Sequence, residues 1–115
     1  MKTIITTFAV ALCIASCSLT SQTIIKPKDS FVLGNNPHGS FKVKLKNVSK
    51  QNLEIHHEPI SGGSHSYLTV KPPQSAKVKV EANTALIISN KSNDTTAVNL
   101  VVTGDTQLGM GYKNK

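Results

Sequence analysis

The sequence contains no arginine and no tryptophan, and aromatic residues make up only 4% of it. Its formal net charge of +7 therefore comes from lysine alone. Proteins that read nucleic acids depend on the planar fork of arginine and, for single strands, on aromatic side chains that stack on bases. Lysine by itself gives a diffuse positive potential without base-reading geometry. The composition therefore argues against a nucleic-acid partner.

Cysteine is nearly absent as well, because the only two are Cys13 and Cys17. Beyond residue 17 there is no thiol to form a disulfide or to bind a metal as thiolate. The total length of 115 residues fits a single domain, and the hydrophobic fraction of 38% is typical of a folded chain. We therefore expect one small domain held together by its core alone.

The first 16 residues have the organisation of a signal peptide. Lys2 provides a positive start, the apolar stretch TIITTFAVALCI follows, and the small residues Ala15 and Ser16 come directly before Cys17. The apolar stretch is too short for a permanent membrane-spanning helix. We predict that residues 1–16 are removed on export.

The four residues IASC, which end at Cys17, resemble the lipobox of bacterial lipoproteins: an aliphatic residue, two small residues and a cysteine. In that family the signal peptidase cuts before the cysteine, whose sulfur and new amino group then carry acyl chains. Several chains hold a protein firmly in a membrane, whereas one holds it only marginally. The resemblance implies a lipid anchor at Cys17. A cut after Ala15 or Ser18 would instead release a soluble secreted protein, and this alternative stays open.

The residues after the cysteine bear on location. In the enterobacterial pattern of the family, an aspartate at this point retains the protein at the inner membrane, whereas this chain has Ser18. The surface-export signals of some Bacteroidota are acidic, and SLTSQ contains no acid. The resemblance therefore implies the bacterial cell envelope, at the periplasmic face of the outer membrane, with residues 17–21 as a lipidated polar tether.

Residues 22–115 alternate between short segments rich in β-branched residues and clusters of turn residues. FKVKLKNV, AKVKVEA and ALIIS are examples of the first kind, and GNNPHG, SKQN and NKSNDTT of the second. No segment has a sustained period of 3.6 residues. We predict an all-β domain, an antiparallel β-sandwich with immunoglobulin-like topology or, alternatively, a small β-barrel. ALIIS, which is apolar on both faces, is predicted to be a covered central strand.

Two hairpins are also predicted. If Ser49-Lys50-Gln51 is a three-residue hairpin loop, Lys46 lies opposite Glu54. In an immunoglobulin topology these two strands can instead lie in different sheets. A second hairpin at Gly104-Asp105 would pair the last strand with the segment around Leu100.

Alternation within FKVKLKN and AKVKVEA places lysines on one face of each strand and apolar residues on the other. Such a face can contact lipid phosphates or acidic glycans near the anchor. The alternative, which we favour from the sequence, is that these lysines serve only to keep strand edges soluble. The candidate partners are thus a membrane, an anionic glycan or lipid, or another envelope protein. The predicted outward set is Lys42, Lys44, Lys46, Lys77 and Lys79.

Histidines are the candidate metal ligands, since EIHHEPISGGSH contains three of them. The candidate set for periplasmic copper binding, the alternative function, is His56, His57, His65 and Met110. His56 and His57 are adjacent, so a regular strand directs them to opposite faces, and blue-copper sites require a cysteine thiolate. We therefore predict no resident metal or cofactor.

The sequence also predicts that the protein is not an enzyme. Ser64-His65-Ser66 lacks the glycine pattern and the strand-to-helix context of a nucleophile elbow. Three Asn-x-Ser/Thr matches, at Asn47, Asn90 and Asn93, are interpreted as polar turns. The overall prediction is a lipid-anchored, non-catalytic binding, accessory or structural module of the cell envelope whose ligand the sequence does not identify.

Overall fold

The computed structural model describes residues 18–113, so the expected signal peptide and the candidate anchor Cys17 lie outside the described residues. The described part consists of strands joined by turns, and none of its residues lies in a helix that could cross a membrane. The strands are β1 (Leu19–Ile25), β2 (Ser30–Leu33), β3 (Phe41–Asn47), β4 (Leu53–Pro59), β5 (His65–Val70), β6 (Ser75–Val80), β7 (Thr84–Ser89), β8 (Thr96–Gly104) and β9 (Met110–Tyr112).

The strands form two antiparallel sheets. The four-stranded sheet has the order β1-β8-β3-β6, and the five-stranded sheet has the order β5-β4-β7-β2-β9. The predicted all-β antiparallel sandwich is confirmed. The two sheets are not joined into a barrel, so the alternative of a small β-barrel is not the observed architecture.

The strand order is that of a jelly roll. β1 pairs with β8, β2 with β7, β3 with β6 and β4 with β5, as if one long antiparallel ribbon were folded across itself. An immunoglobulin domain places its first two strands in the same sheet, whereas here β1 and β2 lie in different sheets. The prediction of an immunoglobulin-like topology is therefore wrong. Strands with alternating apolar and polar residues occur in both folds, and only the pairing of strands that are distant in sequence distinguishes a jelly roll from an immunoglobulin domain.

Neither of the two hairpins forms: for the first, the alternative of two strands in different sheets is the observed one, and the second prediction is wrong. The loop after β3 crosses from the four-stranded to the five-stranded sheet, so Lys46 lies opposite Ser75 and not opposite Glu54. Likewise β9 pairs with β2 and not with β8. A short loop between two strands in different sheets has the same turn residues as a hairpin loop.

The core lies between the sheets and follows the predicted alternation. Phe41, Val43 and Leu45 of β3 are buried, while the lysines between them are exposed. Every residue of β7 is buried, which confirms ALIIS as a covered central strand between β4 and β2.

The domain begins earlier than the sequence suggested. β1 starts at Leu19, which pairs with Val102 of β8. Three residues of the expected tether therefore belong to the sheet. Only Ser18 separates the candidate anchor Cys17 from β1.

Candidate functional site

The predicted outward lysines come together on the exposed side of the four-stranded sheet. β3 and β6 are adjacent and antiparallel, so Lys42 lies directly opposite Lys79 and Lys44 directly opposite Lys77. Lys46 follows on β3, and all five side chains are exposed. We call this set of five residues the lysine face.

No acid accompanies the lysine face, because none of the four strands of its sheet contains an aspartate or a glutamate. The remaining outward positions are neutral, and Val101 and Thr103 of β8 line one side of an open groove between the lysine stems. This groove has a volume of about 480 Å³. The outward neutral residues of β1 and β8 include Thr20, Gln22, Ile24, Asn99, Val101 and Thr103.

The five-stranded sheet differs from the four-stranded sheet because its glutamates form ion pairs. Lys91 Nζ lies 2.8 Å from a Glu54 carboxylate oxygen, and His56 Nε2 and Lys113 Nζ lie 2.8 and 3.3 Å from the same Glu58 oxygen. Contact with His56 and Lys113 lowers the pKa of Glu58. None of these three ion pairs includes a residue of the lysine face, so they do not compensate its charges.

This arrangement costs stability unless something neutralises it. Like charges directly opposite each other on adjacent strands destabilise a sheet, and the lysine face contains two such pairs. A multivalent anion lying across β3 and β6 would remove this repulsion and contact both pairs at once. The chemistry of the face therefore favours an anionic surface or polymer.

The predicted metal ligands are not assembled into one site. His57 of β4 and His65 of β5 lie opposite each other, with ring centroids 5.2 Å apart. His56 points to the other face, where its ring stacks on Tyr67 at 4.8 Å. Met110 is on β9, at the opposite edge of the sheet. Within the described range, no three His, Cys, Asp or Glu side chains are grouped so as to hold a metal ion.

His57 gives the protein a predicted pH dependence. Its burial lowers its pKa, and nearby His65 lowers the pKa further. Glu81 has a weaker effect that raises the pKa, and His56 has the weakest effect, which lowers it. Because unfolded His57 binds a proton more readily, the free energy of unfolding should fall as the pH drops from about 7 to about 5. His57→Gln should flatten this dependence, measured by urea unfolding across that range. An unchanged pH slope in the variant would contradict the assignment.

Sequence reasoning missed the structural role of two asparagines. The side chain of Asn47 is fully buried, and its Nδ2 donates to the carbonyl oxygens of Gln51 and Val70 at 2.7 and 2.9 Å. Its Oδ1 accepts hydrogen bonds from both the backbone N–H and the hydroxyl of Ser49. This loop after β3 is thus built around one buried amide.

Asn90 forms the same structure after β7. Its Nδ2 donates to the carbonyl oxygens of Ile25, Lys26 and Asp94, and its Oδ1 accepts from the N–H and hydroxyl of Ser92. The shared spacing in NVSKQ and NKSND, Asn-x-Ser-x-Gln/Asp, is the signal that could have revealed it. We call segments 47–51 and 90–94 the two Asn-Ser turns. Asn47 is the last residue of β3 and Asn90 directly follows β7, so each asparagine stands at the start of its turn.

No known protein family matches this chain, and no curated protein matches its sequence. Its fold is similar to part of the capsular polysaccharide assembling protein CapF from Staphylococcus aureus. Two CapF crystal structures give TM-scores of 0.57 and 0.58 at 19% identity, each over 74% of this chain. A CapF structure with the inhibitor 3-isopropenyl-tropolone gives a TM-score of 0.55 over 72% of this chain, also at 19% identity. This chain spans only 22–24% of CapF, and at this identity the likeness shows the fold alone.

Proposed function

We propose that this chain is a lipid-anchored, non-catalytic binding module of the bacterial cell envelope. Cys17 carries the anchor, at the periplasmic face of the outer membrane, and the lysine face binds an anionic glycan or lipid. The observation that carries the proposal is the pairing of Lys42 with Lys79 and of Lys44 with Lys77 in a sheet without any acid.

Two features support the proposal independently. The lipobox resemblance at residues 14–17 gives a reason for the position of Cys17. The only other thiol of the sequence, Cys13, lies within the apolar start. The lysine face accounts for binding, since surface positive charge that no carboxylate neutralises attracts anionic surfaces and polymers. Charges on the five-stranded sheet are paired within the protein, which leaves the four-stranded sheet as the binding side.

The anchor is tested by intact mass and detergent partitioning of the protein isolated from its envelope. The natural product should exceed the mass of a chain starting at Cys17 by its acyl groups and should enter the detergent phase. Cys17→Ala should lose both properties. Cys13→Ala is the matched control and should keep both, because Cys13 leaves with the signal peptide. Natural protein that is water-soluble and carries no acyl mass would favour the secreted alternative.

A further inference from the structure

We propose that the lysine face lies flat against the anionic headgroups of the membrane that holds the anchor. The inference rests on the proposed function and names the partner of the same site. The protein is then attached to the membrane in two ways, by the acyl chains at Cys17 and by the five lysines on one sheet. Acyl chains combined with a polybasic patch are an established physical route to stable membrane attachment.

The first argument is the short distance between the anchor and the face. Cys17 is two residues before Leu19, and two residues of chain span at most about 7 Å. Leu19 pairs with Val102, and Val102 pairs with Val43 next to Lys42. Since neighbouring strands are about 4.8 Å apart, β3 lies about 10 Å from β1. An acylated Cys17 would hold the lysine face close to the headgroups.

The second argument concerns which side of the sandwich can approach an anionic surface. At the anchored end, Glu81 follows β6 and Asp105 follows β8, both just beyond the row of Lys42 and Lys79. Backbone N–H groups of Gln107 and Gly39 donate to Asp105 and lower its pKa. A sandwich standing on this end would press two carboxylates against anionic headgroups. Lying on the face instead brings the five lysines and the neutral outward residues of the four strands to them.

The third argument is the composition of the face itself. Ile24 and Val101, which are 49% and 38% exposed, point to the same side as the lysines. Exposed apolar side chains on the same side of a sheet as lysines suit the boundary between headgroups and acyl chains, where lysine stems contact apolar material and their ammonium groups reach the phosphates. Because the anchor holds the protein at the membrane, the local concentration of headgroups around the lysine face is always high. A distant glycan would not have this advantage.

The experiment is lysine footprinting of the natural lipidated protein reconstituted into vesicles. One set of vesicles contains phosphatidylcholine only, and the other contains equal parts of phosphatidylcholine and phosphatidylglycerol. An amine-acylating reagent is applied, and modification of each lysine is read by mass spectrometry. Lys50 and Lys71, which are exposed but lie on loops outside the face, are the internal controls. Flotation with the neutral vesicles reports the anchor separately.

In the anionic vesicles, we expect the five lysines of the face to be modified several-fold more slowly than in the neutral vesicles, with Lys50 and Lys71 unchanged. Each lysine near an anionic surface contributes about fivefold to binding. The double variant Lys44→Gln/Lys77→Gln should therefore lose most of the protection at Lys42 and Lys79. The control double variant Lys50→Gln/Lys71→Gln has the same charge change and should keep it.

Three results would overturn the inference. Equal modification of the five lysines in both kinds of vesicle would exclude a contact that depends on anionic headgroups. Protection by added polygalacturonate, an anionic glycan, without protection by phosphatidylglycerol would assign the face to glycans and leave the anchor intact. Failure to float with neutral vesicles would instead remove the anchor, and the inference with it.

Discussion

Asn90→Ala is expected to lower the free energy of unfolding by about 2–4 kcal/mol. The side chain is only 1% exposed and makes five hydrogen bonds. Removing it deletes all five bonds and leaves the carbonyl oxygens of Ile25 and Lys26 with only longer contacts, from the Thr96 hydroxyl at 3.4 Å and the Asp29 N–H at 3.2 Å. The loss of hydrogen bonds to buried polar groups costs about 1–3 kcal/mol. The bonds also join the end of β1 in one sheet to the loop after β7 in the other.

The measurement is urea unfolding of the variant beside Asn47→Ala and Asn93→Ala. Asn47→Ala should give a similar loss, because Asn47 has the same bonding pattern and its contact with Val70 also joins the two sheets. Asn93 is exposed, so its replacement by alanine should change stability by less than about 0.5 kcal/mol. Equal stability of all three variants would contradict the role assigned to the Asn-Ser turns.

Phe41→Ala is expected to destabilise the protein by about 3–5 kcal/mol, a large part of the total stability of a small domain. Phe41 is 1% exposed at the start of β3, and its ring meets the ring of buried His38 edge to face at 5.1 Å. Alanine would remove most of this apolar side chain and leave a cavity between the sheets. The lost transfer free energy and the cavity both act against folding.

The control for this prediction is Tyr67→Ala. Tyr67 is an aromatic residue of similar size on β5, but it is 66% exposed and contacts the ring of His56 on the outer surface. Its replacement should cost less than about 1 kcal/mol. Thermal and urea unfolding of both variants provide the comparison, and a Phe41→Ala loss no larger than that of Tyr67→Ala would be inconsistent with the observed core.

The local features of the fold could be predicted from the sequence. The alternation Phe41, Lys42, Val43, Lys44 fixes which side of β3 is buried, since side chains on a strand alternate between faces. The continuous apolar run of β7 likewise predicts burial on both faces. These predictions depend only on neighbouring residues, which is why they hold whatever the strand order.

The candidate site could be predicted only in part. The outward lysines were identifiable on each strand separately, yet their direct pairing depends on β3 lying beside β6, with some thirty residues of chain between them. The candidate metal ligands, unlike the lysines, are not all brought together by the fold. His57 and His65 meet across β4 and β5, whereas Met110 lies at the far edge of the sheet. The Asn-Ser turns were read as turns, but their bonds to Val70 and Ile25 involve distant segments.

The sequence by itself determined an all-β chain, its inward and outward residues, its excess of lysine and its lipobox-like start. Only the tertiary structure decided that the strands form a jelly roll, that lysines face lysines across β3 and β6, and that β1 begins two residues after Cys17. Alternation and turn residues act over a few positions, so they leave the choice of strand partners open. That choice is made by the packing of one complete core between two sheets, which involves the whole domain at once.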